Sequence, residues 1–347
     1  MPVSSNSLAS RMASPLVGSG NLLEVEEPIA KTAADLGRSS SAAEKRQWLA
    51  RLKQALAAGN TNEASRVICR FLDSQANAPT DLGFKIGPGG FLTEAPTLRT
   101  FLLDYLGQID PAAAAAYARG ILSRPDSADE WALALRNLAA GDASAEGRAL
   151  LEEKVGELLG NDAWQREPSA GFLEAFDVAV YVGSTNLATP LAGLVRKADN
   201  PAVAHAAFLA LDRLVLKGPS VWLEILAAQP DLMQGRELAR ADFFARADIR
   251  DPRQRQILEG YLLNPRIGAA ELGQFAGVFP NANYMISKNL LTATPTPDYA
   301  AVTSRDAASL QVVETWLAEP RFAPIQPELA KVRQRLEEFT RQAAGGR

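Results

Sequence analysis

The chain has 347 residues, of which 47% are hydrophobic and 22% are charged, so its composition is that of a folded protein and not of a disordered one. A formal net charge of −4 disfavours nucleic acid and acidic membranes as partners. With one histidine, His205, and one cysteine, Cys69, an intrachain disulfide is excluded and an imidazole or thiolate metal site is disfavoured. We therefore expect no metal and no cofactor, and we interpret Cys69 as a packing residue.

No stretch reaches the roughly 18 consecutive apolar residues that a membrane-spanning helix needs. The N-terminus also lacks a basic segment followed by an apolar core. The sequence thus predicts a soluble protein without a membrane span, cytoplasmic by default. Export remains open for a chain that has lost a signal segment, and the oligomeric state is not indicated.

The first 41 residues are rich in Ser, Gly, Ala and Pro, and their apolar groups, such as Leu22 and Leu23, show no sustained period. Such segments bury too little apolar surface to fold. We predict a flexible N-terminal arm over 1–41, followed by a helical-repeat domain over 42–347.

An N-terminal helix pair is predicted within 42–78, with helices over 42–58 and 62–76 joined by a short turn. In the first helix, Trp48, Leu52 and their leucine neighbours fall on one face at the 3.6-residue period.

The segment that follows breaks the helical pattern. Phe84 and Ile86 alternate before a Gly-Pro-Gly-Gly turn, and Phe91 follows that turn, which predicts a small hairpin or ordered loop near 82–93. Lys85 and the glycines could in principle form a phosphate-binding loop. A nucleotide-binding loop needs Lys and then Ser or Thr after its last glycine, and Phe91 stands there instead. We therefore expect a structural turn or a partner contact.

Helix starts are marked by an Asn or Asp cap before proline, at Asp110, Asn200 and Asp251. Short connections make successive helices antiparallel neighbours. Helices are predicted over 97–108, 111–123, 127–140, 145–159, 170–183, 187–198, 201–217, 219–228, 236–247, 252–263, 269–278, 282–291, 304–318 and 328–343.

These helices divide into a repeat array over 97–320, separated from the first pair by the glycine-rich loop 79–96, and a terminal helix over 328–343. The terminal helix has an apolar stripe that includes Leu329 and Leu336. We interpret this helix as the cap that closes the array, with pairing to another protomer as the alternative.

One unit, over 189–214, carries a family resemblance. An outer helix ends at Asp199 before Pro201, and the inner helix then shows a valine, an alanine pair, Ala-Leu and a final aliphatic residue. These residues are Val203, Ala206, Ala207, Ala210, Leu211 and Leu214. The unit resembles a HEAT repeat of the HEAT-like and armadillo superfamily, although Ala204 stands where that family usually has arginine. The resemblance implies an all-α, α-α superhelix of stacked antiparallel helix pairs.

The sequence gives little support for a catalytic function. Paired carboxylates can hydrolyse glycosides, and the candidates here are Asp104, Asp110, Asp129 and Glu130, but helix capping explains Asp110 and Asp129 more simply. His205 is the only imidazole base, and neither a nucleophile nor an orienting carboxylate is identifiable beside it. We therefore predict no catalytic residues.

The densest basic stretch spans 236–266, where seven arginines alternate with acidic residues. This alternation is typical of a solvated face with pairing inside it, and it leaves nucleic-acid binding as a minor alternative.

The sequence thus favours a non-catalytic scaffold that presents a concave helical groove to an unknown protein or peptide. The alternatives are an enzyme on a helical scaffold that uses carboxylates, such as a glycoside-type hydrolase, and a nucleic-acid binder that uses the 236–266 arginines. The expected partner contacts are Phe84, Lys85, Ile86, Phe91, His205 and Arg240.

Overall fold

The computed structural model describes residues 19–38, 40–197, 199–283, 287–293 and 298–345. Within these residues the chain is all-α, with one two-stranded hairpin. None of the described helices is both long and apolar enough to cross a membrane. The helices are α1 Ser19–Leu36, α2 Ala42–Ala58, α3 Thr61–Asp73, α4 Leu98–Ile109, α5 Pro111–Ile121, α6 Ala128–Gly141, α7 Ala145–Leu159, α8 Asp162–Arg166, α9 Ala170–Glu174, α10 Phe176–Val182, α11 Ala188–Arg196, α12 Pro201–Lys217, α13 Pro219–Ala228, α14 Glu237–Phe244, α15 Pro252–Leu262, α16 Ala269–Val278, α17 Tyr299–Ala318 and α18 Gln326–Gly345.

Helix α1 corrects part of the predicted N-terminal arm. Ile29, Thr32 and Leu36 are buried at helical spacing, and α1 packs against α2 and α3. Glu26 also pairs with Arg70 of α3. The apolar face of α1 is short, and the surrounding sequence is rich in Ser and Ala. Composition alone therefore did not predict this helix. The rest of the predicted arm, over 1–18, lies outside the described residues.

The predicted hairpin is confirmed. Strand β1, Lys85–Ile86, pairs antiparallel with β2, Leu92–Glu94, and the Gly87 N–H donates to the Phe91 carbonyl at 2.7 Å. At Gly90 the backbone has a φ of +79°, and a Cβ there would lie 2.0 Å from the Leu290 carbonyl oxygen. The turn therefore packs backbone to backbone against a segment 200 residues further along the chain.

The predicted cap-and-proline starts are also confirmed. The side chain of Asp110 accepts the Ala113 N–H at the start of α5, and Asn200 and Asp251 each accept two backbone N–H groups at the starts of α12 and α15. Each cap satisfies donors that have no partner inside the helix. The predicted helix over 170–183 is divided at Ala175 into α9 and α10.

Helices α4 and α6 run parallel and are joined by ion pairs. Between α4 and α6, Arg99 forms a bidentate pair with Glu130 at 2.7 and 2.9 Å, and Asp104 pairs with Arg136. Because both contacts advance in the same direction along the two helices, α4 and α6 are parallel and held at a fixed axial level.

The same arrangement recurs near the C-terminal end. Between α14 and α16, Arg240 pairs with Glu271 at 2.7 Å through both guanidinium arms, and Gln274 donates to Asp242. Across these contacts and those of α4 with α6, partners are 31 or 32 residues apart in sequence. The partners in each contact thus lie on two helices that have one other helix between them in the sequence.

The predicted helix over 282–291 is wrong where the structure describes it. Asn281 donates its N–H to the Ala245 carbonyl, and Arg246 donates to the carbonyls of Asn281 and Asn283. Ten residues on, Leu291 and Thr292 donate their N–H groups to a carboxylate of α10. Backbone groups committed to other elements cannot form helical hydrogen bonds, so the described parts of this stretch are irregular.

A buried ion pair should be far more sensitive than an exposed one. Glu271→Gln leaves the Arg240 guanidinium buried without a counter-charge, so we expect the free energy of unfolding to fall by about 3 kcal/mol or more. The control is Glu224→Gln, which breaks the exposed pair with Arg253 and should cost less than about 1 kcal/mol. Urea titration measures both values, and equal losses would contradict the structural role of the buried pair.

Glycine at position 90 should be required by the close packing of the turn. Gly90→Ala places a Cβ against the Leu290 carbonyl and at a left-handed φ, so we expect a loss of about 1–3 kcal/mol. Gly260→Ala is the control, because Gly260 lies inside α15 with open space around it and should gain about 0.5–1 kcal/mol. Thermal and urea unfolding distinguish the two signs.

Candidate functional site

A cavity of about 710 Å³ lies between α9 and α10 on one side and α12 on the other, with the segment 287–293 along its edge. We call it the α12 groove. Its lining residues are divided almost equally between apolar and polar side chains. They are Leu173, Glu174, Phe176, Asp177, Val180, Tyr181, Ala202, His205, Ala206, Leu209, Ala210, Asp212, Arg213, Leu216, Lys217, Ser287, Asn289, Thr292 and Ala293.

Helix α12 forms the floor of the groove over nearly its whole length. The lining positions recur every three or four residues from Ala202 to Lys217, as one face of an α-helix requires. At 1.5 Å per residue this face is about 22 Å long, or about four turns. The groove is therefore elongated along the helix axis.

The opposite wall runs parallel to α12. Asp177 of α10 pairs with Arg213 at 2.9 Å. The Lys217 ammonium donates hydrogen bonds to the Val180 and Tyr181 carbonyls at 3.1 and 3.2 Å. The order of these contacts places the residues before Asp177 beside the turn of α12 that precedes Arg213.

Asp177 also fixes the third side of the groove. It accepts the N–H groups of Leu291 and Thr292 at 2.7 and 3.0 Å and the Thr292 hydroxyl, while Arg213 donates to the same hydroxyl. This buried carboxylate is therefore satisfied by one cation and three neutral donors. The segment 287–293 is positioned by charges that belong to α10 and α12.

Glu174 differs from Asp177 although it lies only three residues away. Its carboxylate is half-buried in the groove wall, and within the described part of the chain it has neither an ion pair nor a hydrogen bond. Burial, reinforced by Asp177 and partly offset by Arg213, raises the pKa of the Glu174 carboxyl above its ordinary value of 4.5. Glu174 is therefore a half-buried carboxylate that still reaches water and that pairs with no cation in the described residues.

His205 is the one predicted contact that the structure places in the groove, where its side chain is exposed. Phe84 and Ile86 are buried, at 7% and 8% exposure, and Arg240, at 8%, is held by Glu271. Buried side chains offer little surface to a partner, and none of these three residues lines the α12 groove.

The remaining predicted contacts lie on the hairpin. Lys85 is exposed and pairs with Glu94 across the two strands at 2.7 Å. The Phe91 ring is half-buried, and the Arg136 guanidinium lies over it, 4.8 Å from the ring centroid. Arg136 also donates to the Gly90 carbonyl. Neither residue lines the α12 groove.

The carboxylates considered for hydrolysis are all engaged. Asp104 pairs with Arg136, and Glu130 pairs with Arg99. Asp110 caps α5, and Asp129 accepts the Ser169 hydroxyl and the Gly171 N–H at 2.6 and 2.9 Å. Each of these four carboxylates is therefore held by a structural partner.

The arginine-rich stretch is largely neutralised, but three of its five carboxylate partners, Asp212, Glu224 and Glu271, lie outside 236–266, so the predicted pairing inside the stretch is only partly found. Five of its seven arginines pair with carboxylates, and two of these pairs are buried. The paired arginines are Arg240, Arg246, Arg250, Arg253 and Arg255. Pairing of this kind removes much of the positive field that nucleic-acid binding requires.

Cys69 is half-buried in α3, and burial raises the pKa of its thiol to about 11. A thiol that stays protonated at neutral pH is a poor nucleophile.

Sequence reasoning identified His205 as a groove residue but missed Glu174, Asp177 and Arg213. The link from Asp177 to Leu291 joins residues 114 apart in sequence, so no local pattern reports it. The only local signal was Asp and Arg at positions inside otherwise apolar helices, where a charge requires a buried partner.

No protein-family model, no curated protein and no solved structure matches this chain. Among the residues that the structure describes, no group of three or more His, Cys, Asp or Glu side chains is placed to hold a metal ion.

The titration of Glu174 should be visible in stability. Because its folded pKa is raised, its contribution to stability is fully present below pH 4.5 and is lost as the pH rises through the folded pKa. Glu174→Gln removes this titration, so we expect the variant to match the wild type at acid pH and to be the more stable protein at neutral pH. Urea midpoints across the pH range measure the difference, with Glu314→Gln at an exposed position of α17 as the control. A difference that shrinks as the pH rises would contradict the assignment.

Proposed function

We propose that this chain is a non-catalytic interaction scaffold that binds an amphipathic helical segment of a partner protein in the α12 groove. The observation that carries the proposal is the shape and chemistry of the groove: a helix face about 22 Å long that carries both apolar and polar side chains. An apolar helix face that docks into such a groove presents anchors at i, i+3, i+4 and i+7. The row of lining positions on α12 has the matching spacing.

The architecture supports the same proposal. Helices α4 and α6, and α14 and α16, are linked across one intervening helix, and the unit over 189–214 forms the antiparallel pair α11 and α12. We propose a HEAT-like stack for these pairs. In such stacks the inner helices line an extended binding surface, and α12 is the inner helix of the unit that carries the resemblance.

The two other functions are less well supported. An enzyme would need converging acid and base groups, and the carboxylates considered for that chemistry are engaged elsewhere. A nucleic-acid binder would need an unpaired arginine face, and most arginines of 236–266 have carboxylate partners.

Blocking the groove should abolish peptide binding. The immobilised full chain is used to select from a displayed library of short amphipathic helical peptides, and the enriched peptides are synthesised with a fluorophore. Ala206→Phe places a ring in the middle of the groove, so we expect a loss of affinity of at least about tenfold in fluorescence anisotropy. Ala202→Trp, at an exposed position near the end of the groove, serves as a second blocking variant.

The matched control is Ala50→Phe, which adds the same ring at an exposed position of α2 and should leave affinity unchanged. Unfolding midpoints of all variants establish that they are folded. If every enriched peptide bound the blocked variants as tightly as the wild type, the groove would not be the binding site.

A further inference from the structure

Glu174 is the last residue of α9 and lines the α12 groove on the same wall as Asp177. The fields of Asp177 and of Arg213 both reach its carboxylate. Its neighbours in this wall, Leu173 and Phe176, are apolar lining residues. An occupant that fills the groove covers Glu174 and removes its remaining contact with water.

The charges around Glu174 are already assigned to other partners. On its own wall, Asp177 is neutralised by Arg213 of α12. Asp212 on the floor is held by Arg246 through two arms, at 2.7 and 2.6 Å. Lys217 lies about one turn beyond Arg213 on α12 and donates to the Val180 and Tyr181 carbonyls. Within the described residues, Glu174 is thus the groove carboxylate without a cationic partner.

A neutral apolar occupant would bury this carboxylate with only the partial compensation of Arg213, which is already paired with Asp177. Burial of an unpaired ionised group costs several kcal/mol, whereas a cation that reaches it forms a charge-assisted hydrogen bond in a low-dielectric setting. His205, on α12, has no partner among the described residues and accepts a hydrogen bond when neutral. The groove chemistry therefore favours a hydrogen-bond donor that carries positive charge.

We propose that the helical segment bound in the α12 groove carries a lysine or arginine whose cationic group pairs with Glu174, with apolar residues one turn away on either side. This inference rests on the proposed function and specifies which class of peptide the groove selects. The basic side chain fixes the register of the segment, and the apolar neighbours supply the buried area.

The test uses the full chain and the same displayed library, selected in parallel on wild type and on Glu174→Lys. We expect wild type to enrich peptides with Lys or Arg at one central position, and Glu174→Lys to enrich Asp or Glu at that position. For a synthetic wild-type-selected peptide, Glu174→Gln should weaken binding about tenfold. Replacing the peptide's basic residue by Gln should cost about the same, and the two changes together should cost no more than either alone.

The controls separate this inference from the proposed function. Glu314→Gln should leave affinity unchanged, and Ala206→Phe should abolish binding of every selected peptide. Groove-dependent peptides with no enrichment of Lys or Arg, and with equal affinity for wild type and Glu174→Gln, would overturn the inference and leave the proposed function intact. Self-association that Ala206→Phe abolishes would assign the groove to a second copy of the chain and overturn both.

Discussion

Buried pairing of arginine with carboxylates determines how the helices of this protein are stacked. A bidentate contact such as Arg240 with Glu271 fixes the distance between two helices, their axial level and the rotation of both side chains at once. Apolar packing is non-directional, so it fixes these quantities less sharply than a bidentate contact does. A buried guanidinium without its carboxylate is strongly disfavoured, so each pair excludes the neighbouring registers.

The same charges build the candidate site. Asp177 and Arg213 set α10 against α12, and they also hold the backbone of Leu291 and Thr292. Arg246 pairs with Asp212 and donates to the carbonyls of Asn281 and Asn283, which precede the segment 287–293. The described parts of the connection between α16 and α17 are thereby held against the helices. The groove has three walls because two ion pairs each serve both helix stacking and loop attachment.

How far the sequence predicts this molecule depends on the range of the contacts. Helix starts such as Asp110 and Asn200 are local, since a cap satisfies donors two or three residues away, and their positions were predictable. The hairpin near Gly90 was equally local. The segment after α16 was predicted as a helix because its composition allows one, yet its hydrogen bonds go to residues tens of positions distant. Arg240 was placed on the surface because sequence alone does not reveal that a charge is buried with a partner.

The contrast between Asp177 and Glu174 is the most informative feature of the groove. Two carboxylates three residues apart share one wall, and one receives a guanidinium and three further donors while the other receives none. If the wall had only a structural purpose, a glutamine or an apolar residue at position 174 would avoid the cost that burial imposes on the charge, a cost that the raised pKa of Glu174 reflects. Polar groups without a hydrogen-bond or ion-pair partner are found most often at functional sites. The proposed occupant, and the positive charge proposed for it, both depend on this unpaired carboxylate.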